Sequence, residues 1–296
     1  MAMNRRGFFQ TAGGTAGAAL MTALGRPERL RGAATARKAS DVLYLGPEKI
    51  RITRMAIGLG TSSGNVQREM GLQGVADYLK FAYDQGLFFW DTADAYKTHF
   101  HIKQALKSIP REKVTISTKT DVRPGSGGDM AAEMRACLDR YRQELGTDYI
   151  DQVLLHGMRS PNWPTEFKPV LDVLSEAKEK KIIRTHGASI HSLDALKMAA
   201  KTPWCEVHLQ VINFAGVRTD SPNVAEVVEV LRQSKAAGKG VWGMKILGEG
   251  RLRGRIDEAL RFAVGLDCLD SFTLGAGNRD ELADVIRRVA ANSQAA

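Results

Sequence analysis

Eight short apolar runs punctuate residues 54–276, and each gives way to a stretch in which apolar side chains return every three or four positions. The runs are "RMAIGLG" (54–60), "LFFWDTA" (87–93), "VTISTK" (114–119), "YIDQVLLH" (149–156), "IRTHGAS" (183–189), "EVHLQVI" (206–212), "GVWGMKIL" (240–247) and "LDSFTLGA" (269–276). Runs of this length predict strands, and the helical period between them predicts helices. After the third run, Met130, Met134, Leu138, Tyr141 and Leu145 share a face, and Gly146 stands where a helix C-cap is expected. After the fourth, Phe167, Val170, Leu171, Leu174 and Ala177 form another apolar face. Lys178, Lys180 and Lys181 crowd its last turn, where cations favour the helix dipole. A final helix over about 279–290 uses Leu282, Val285, Ile286 and Val289.

Eight strand–helix units with no Pro-, Gly- or Ser-rich linker between them predict one domain over residues 37–296, a (β/α)8 TIM barrel. "DVLYLGPEKIRI" (41–52) adds an N-terminal β-hairpin across the barrel bottom. A doubly wound sheet is the alternative, but no glycine-rich dinucleotide fingerprint follows the first strand.

Composition changes the picture only at the N-terminus. The chain is 44% hydrophobic and 25% charged, the balance of a soluble globular protein. Of the net charge of +9, residues 1–36 carry +4, from five arginines against one glutamate, which leaves +5 elsewhere. No basic stripe interleaved with aromatics is present, so nucleic-acid binding is not expected. "MNRRGFFQ" (3–10) and the mildly apolar "TAGGTAGAALMTALG" (11–25) precede "ATA" (34–36), a small-x-small cleavage site. That order resembles a twin-arginine (Tat) export signal, too short in its apolar part for a stable membrane span. It implies engagement of the Tat machinery and a periplasmic location, with a cytoplasmic one as the alternative. Cys137, Cys205 and Cys268 are widely spaced, with neither a disulfide framework nor metal-ligand spacing.

The barrel turns strand ends into a site, because residues that close its strands face one mouth. Asp91 closes the second strand, with Tyr96 in the loop after it, while Lys119 closes the third and His156 the fourth. Strands about 4.8 Å apart let such groups converge. A free tyrosine titrates near 10, a neighbouring lysine lowers that value, and an aspartate keeps the lysine charged. The set predicts a general acid, with His156 donating to the oxygen of a bound carbonyl. A Schiff-base role for Lys119 is the competing reading. "HFH" (99–101) suggests a metal pair, although it starts a helix, where residues two apart diverge. His186 and His208 read as structural, and Trp90, Trp204 and Trp242 as core or barrel wall. Trp163, in "RSPNWPTE" (159–166), reads equally as a substrate contact or as surface loop.

With "GLGT", "DTADAY", "STK", "LGTDYIDQVLLH", "GAS", "LQVINF", "LGEG" and "GAGNRDEL" in order, residues 42 to about 290 resemble the aldo/keto reductase superfamily. The resemblance implies reduction of an aldehyde or ketone, with NADPH or NADH bound across the mouth without a Rossmann fold. Asp91, Tyr96, Lys119 and His156 match its catalytic tetrad, with Tyr96 as proton donor. Ser189 and Gln210 match its nicotinamide carboxamide contacts. Leu247, Gly248 and Gly250 match the loop along the pyrophosphate, and Gly275 and Asn278 the adenosine end. Three departures stand out. Ile190, followed by His191, replaces an asparagine of the amide clamp; Ile246 replaces a proline; Gly275 and Glu281 occupy positions that often carry a lysine and an arginine for the 2′-phosphate. Arg279 offers a cation nearby, so NADP and NAD both remain open. The sequence ends just after the eighth helix, without the tail that narrows the pocket in many relatives, which implies a more open mouth. A cofactor-binding regulatory or partner protein with little turnover is the second reading.

Overall fold

All eight apolar runs become parallel strands of one closed barrel in the computed structural model, which describes residues 36–125, 127–221 and 223–293. The export-signal reading of residues 1–36 lies outside the described residues, apart from Ala36. A hairpin of β1 (Val42–Leu45) and β2 (Ile50–Thr53) comes first, paired antiparallel. The barrel strands are β3 (Met55–Gly58), β4 (Phe89–Asp91), β5 (Thr115–Thr120), β6 (Ile150–Met158), β7 (Ile183–Ile190), β8 (Val207–Val211), β9 (Gly240–Met244) and β10 (Ser271–Leu274). They follow one another around the ring, which closes where Phe272 and Leu274 of β10 pair with Met55 and Ile57 of β3.

Helices wrap the outside: α1 (Asn65–Asp84), α2 (His99–Ala105), α3 (Met130–Leu145), the short α4 (Trp163–Glu166), α5 (Lys168–Glu179), α6 (Leu193–Lys201), α7 (Val224–Ala236), α8 (Ile256–Gly265) and α9 (Arg279–Ser293). The apolar faces expected on α3 and α5 are the buried ones. The Asp129 side chain caps α3 by accepting from Ala131 N, and Gly146 ends the helix in the left-handed conformation. Among the described residues no helix is long and apolar enough to cross a membrane.

Two cores result from the strand alternation. One lies between barrel and helices; the other fills the barrel, where Leu45, Ile50 and Ile52 of the hairpin pack with Phe89, Leu209 and Trp242. The hairpin is thus the floor of the barrel, and each fully buried aliphatic side chain of that floor contributes roughly 1.5–3 kcal/mol.

Part of "LGTDYIDQVLLH" proves to be scaffold. Asp151, on β6, accepts from Ile116 N at 3.0 Å, Arg111 at 2.7 Å and Arg184 at 2.9 Å, which ties the start of β5 to its neighbours. Asp270 does the same beside β9, accepting from Val241 N at 2.9 Å and pairing with Lys235.

Candidate active site at the barrel mouth

The centre of the mouth is a buried ion pair. Asp91 ends β4, Lys119 rises from the neighbouring β5, and Lys119 Nζ donates to Asp91 Oδ1 at 2.5 Å and to the Thr92 carbonyl at 2.7 Å. The Lys119 side chain is 1% exposed. Burial alone would pull the ammonium down, but the charge of Asp91, with Tyr96 and the Asp91 hydrogen bond, outweighs it and holds Lys119 above its usual value.

Tyr96 ends a single 3-10 turn, Asp94–Tyr96, that follows β4. The turn is fixed from α3. Asp94 accepts two bonds from Arg140, at 2.7 and 2.9 Å, and one from the Tyr141 hydroxyl at 3.0 Å. Burial pushes the Asp94 carboxyl up, yet the Arg140 bonds and charge prevail and hold it at about 2. Arg68 of α1 donates to the Tyr96 carbonyl at 2.7 Å. The phenol ring lies against Gly60, where an added Cβ would sit 2.4 Å from Tyr96 Cε2; only glycine lets the ring lie there. Lys119 Nζ is 5.1 Å from the ring centroid, and the His156 ring meets Tyr96 edge-on, at 5.7 Å and 89°.

The four groups therefore converge, with one correction to the sequence reading. Lys119 does act to lower the Tyr96 pKa, but burial acts more strongly in the opposite direction, helped by Asp91, Asp121 and Glu249, and the net value is raised. Tyr96 rests as a neutral phenol with the Lys119 ammonium beside its ring.

One residue of this cluster was not singled out from sequence. Asp121, just beyond β5, accepts from His156 Nδ1 at 2.8 Å. Its signal was the period-two alternation of a strand: residue 121 stands two beyond Lys119, beside the strand that bears His156.

The residues expected to hold a nicotinamide nucleotide lie at the ends of β7 and β8 and in the segments after β9 and β10. Ser189, at the end of β7, is buried on the inward side, its hydroxyl 3.9 Å from Met244 Sδ. Gln210 of β8 pairs with Ile190, on the opposite side of the strands from Ser189 and Leu209. Its Nε2 donates to the Val211 carbonyl at 3.0 Å, while its buried Oε1 has no partner. That oxygen has no donor within the chain, but the register sets Gln210 on the other side of the strands from Ser189, so the structure does not bring the two onto one face. Ile190 is fully buried and offers no polar group; His191 beyond it takes a 3.4 Å contact from Arg159, and burial pushes its imidazole down to about 3.

Beyond β9, Leu247 is half-buried, Gly248 has φ +56°, and Gly250 is exposed with open space where a side chain would be. Between them, Glu249 pairs with Lys245 at 2.6 Å and with Arg218. After β10, Gly275 is explained by packing, since a Cβ there would meet Thr61 Oγ1 at 2.2 Å. Asn278 Oδ1 accepts from Glu281 N at 2.9 Å, and Glu281 Oε2 accepts from Gly277 N at 2.7 Å, so both side chains shape the entry to α9. Arg279 lies 3.7 Å from Asp77, on the surface.

Other expectations resolve structurally. Trp163 is neither substrate contact nor surface loop: it is fully buried, donates to the Ala195 carbonyl and packs on Trp204. His99, first of the "HFH" pair, lies on α2 between Glu144 and Thr118, 2.8 Å from each. Among the described residues no three histidine, cysteine or carboxylate side chains are grouped to hold a metal ion. His186 stacks on Trp204 at 4.4 Å, and fully buried His208 is pushed down to about 3 by desolvation.

The sequence model of the Aldo/keto reductase family matches residues 56–290. The probable aldo-keto reductase 1 of Glycine max is 28% identical over 173 residues, 52% of this chain and 49% of that protein. The NADH-specific methylglyoxal reductase of Escherichia coli (strain K12) is 29% identical over 172 residues, 52% of this chain and 53% of that protein. The chain spans about half the length of these curated relatives. Among solved structures, an aldo-keto reductase from Bacillus halodurans in its holo form superposes with a TM-score of 0.67 at 16% identity, covering 84% of this chain and 90% of that one. That likeness concerns the fold.

Proposed function

This chain belongs to the Aldo/keto reductase family, and from that premise we propose that it reduces an aldehyde or ketone to an alcohol, with NADPH or NADH as the reductant. The observation that carries the reading is Lys119, buried between the Asp91 carboxylate and the Tyr96 ring with His156 at the ring's edge. A reduced nicotinamide, when bound, supplies a hydride to the carbonyl carbon. Tyr96 gives its proton to the carbonyl oxygen. Lys119, kept charged by Asp91, stabilises the phenolate that remains. His156 orients the carbonyl. Ser189 would hold the carboxamide, with Gln210 reaching it only by turning its amide over the end of β8, while Leu247, Gly248 and Gly250 would flank the pyrophosphate and Gly275, Asn278 and Glu281 would border the adenosine end. Glu281, exposed and anionic, favours a ribose hydroxyl over a 2′-phosphate, in keeping with the NADH preference named for the Escherichia coli relative.

Two measurements test this reading. Fluorescence titration with NADPH and NADH in parallel should give micromolar binding, tighter for NADH. Tyr96→Phe should lower turnover across a panel of aldehydes and ketones by at least ~100-fold and leave the titration unchanged; undiminished turnover would remove Tyr96 as the acid. Ile190, which supplies no polar group to the amide clamp, favours the second reading, a cofactor-binding regulatory protein. Nucleotide binding by wild type with no turnover on any carbonyl, together with copurification of a stable partner, would select it.

Residues 1–36 complete the proposal as a twin-arginine signal leading to the periplasm, on the support of the arginine pair, apolar stretch and cleavage site in order. Fusing residues 1–40 to a reporter active only outside the cytoplasm tests it. Replacing Arg5 and Arg6 with lysine should abolish the signal.

A further inference from the structure

Asp121 stands outside the four groups matched to the catalytic set, yet it makes the 2.8 Å hydrogen bond to His156 Nδ1. Burial alone would raise its carboxyl; the His156 bond and charge, with Arg123, outweigh that and hold it below the usual carboxylate range. It is therefore a carboxylate, which only accepts, so Nδ1 carries a proton. A neutral imidazole protonated at Nδ1 has a bare Nε2, an acceptor that cannot donate to a carbonyl oxygen. Only the imidazolium donates from both nitrogens.

We propose that Asp121 is a positioning residue that commits the Nδ1 proton of His156, so that His156 can hold a substrate carbonyl only as a charged, doubly protonated donor. This deepens the reductase reading and rests on it for the substrate, though not for the Asp121–His156 relationship itself. The charged and titratable groups around the ring are Asp121 with Arg123 beyond β5, Tyr96 in front of the Lys119–Asp91 pair, and His191 beyond β7. Burial, with Lys245 and Arg159, keeps His191 neutral, so it adds no charge of its own near neutrality. A charged donor suits the chemistry, because the oxygen of a carbonyl under reduction would gain negative charge in the transition state.

The test separates ring state from turnover. Nitrogen NMR of protein labelled in histidine, with His156 assigned by loss of its signals in His156→Gln, reads tautomer and charge without substrate. The neutral ring in wild type should carry its proton on Nδ1. Asp121→Asn keeps an oxygen acceptor but no charge, so its doubly protonated ring should be lost at a lower pH than in wild type. Asp121→Ala should release the ring to the Nε2-protonated form. For carbonyl reduction, kcat/KM should fall with rising pH in wild type and fall earlier in Asp121→Asn, with nucleotide affinity unchanged. Identical tautomer and titration in all three proteins would overturn the proposal, as would wild-type reduction independent of pH across the measured titration of His156. If wild type reduces no carbonyl, the reductase reading fails and the NMR still decides the Asp121 relationship.

Discussion

Lys119 Nζ and Asp91 Oδ1 meet at 2.5 Å with both side chains almost wholly removed from solvent, 1% and 7% exposed. Each charge is held where it is by the other. Lys119→Met would leave a carboxylate uncompensated in the barrel, with an expected loss of about 3–5 kcal/mol. Replacing both residues, as Lys119→Met with Asp91→Leu, removes the stranded charge and should be less destabilising than the single change. Urea denaturation of wild type, both single variants and the double variant measures this; strictly additive losses would contradict the coupling.

Asp94 makes the fold sensitive to acid. Its carboxyl is held at about 2 against an ordinary 3.8. A depressed folded-state value contributes stability that is fully present above the unfolded value and is lost as pH falls from about 4 toward 2. The difference is worth roughly 2 kcal/mol. Asp94→Asn should be destabilised by about that amount at neutral pH and show a flatter stability curve between pH 4 and 2. Parallel curves would assign acid sensitivity to other groups.

Gly60→Ala tests whether the phenol needs its position. The added Cβ falls 2.4 Å from Tyr96 Cε2, so the ring must move while the rest of the barrel has no cause to. Turnover should drop at least ~10-fold, because small misplacements of a reacting group are amplified in rate. Nucleotide binding and the thermal midpoint should change little, and equal losses in all three would indicate general disruption instead.

Gln210→Met removes a buried oxygen that has no donor in the chain. If that oxygen serves a carboxamide, nucleotide affinity should weaken by about tenfold, the worth of one hydrogen bond, while stability falls by about 1 kcal/mol for the lost Nε2 bond to the Val211 carbonyl. Unaltered affinity would release Gln210 from the cofactor site.

The strands, the helical faces and the hairpin floor were legible because burial imposes periods of 2.0 and 3.6 on sequence, and Gly146 and the lysines of α5 mark ends by local chemistry. What escaped lies in distances between loops. Nothing in "RSPNWPTE" distinguishes a tryptophan that reaches outward from Trp163, which turns inward onto Trp204. The acidity of Tyr96 depends on how deeply its ring is sunk, a property of the whole mouth that adjacency to a lysine does not reveal. "DTADAY" likewise hides two aspartates with different work: Asp91 faces Lys119, whereas Asp94 reaches Arg140 and Tyr141, 46 and 47 residues further along the chain.

The seam between β3 and β10 has a consequence for the order of events during synthesis. Met55 and Ile57 find their outer partners in Phe272 and Leu274, residues that emerge from the ribosome after the other seven barrel strands. Until then the growing sheet carries two unpaired edges, with amide groups open to any passing strand. Closure of the ring therefore comes late in synthesis and must overcome the loop-closure entropy of the chain between β3 and β10. Chaperone dependence should therefore be greatest in the interval between synthesis of β9 and docking of β10.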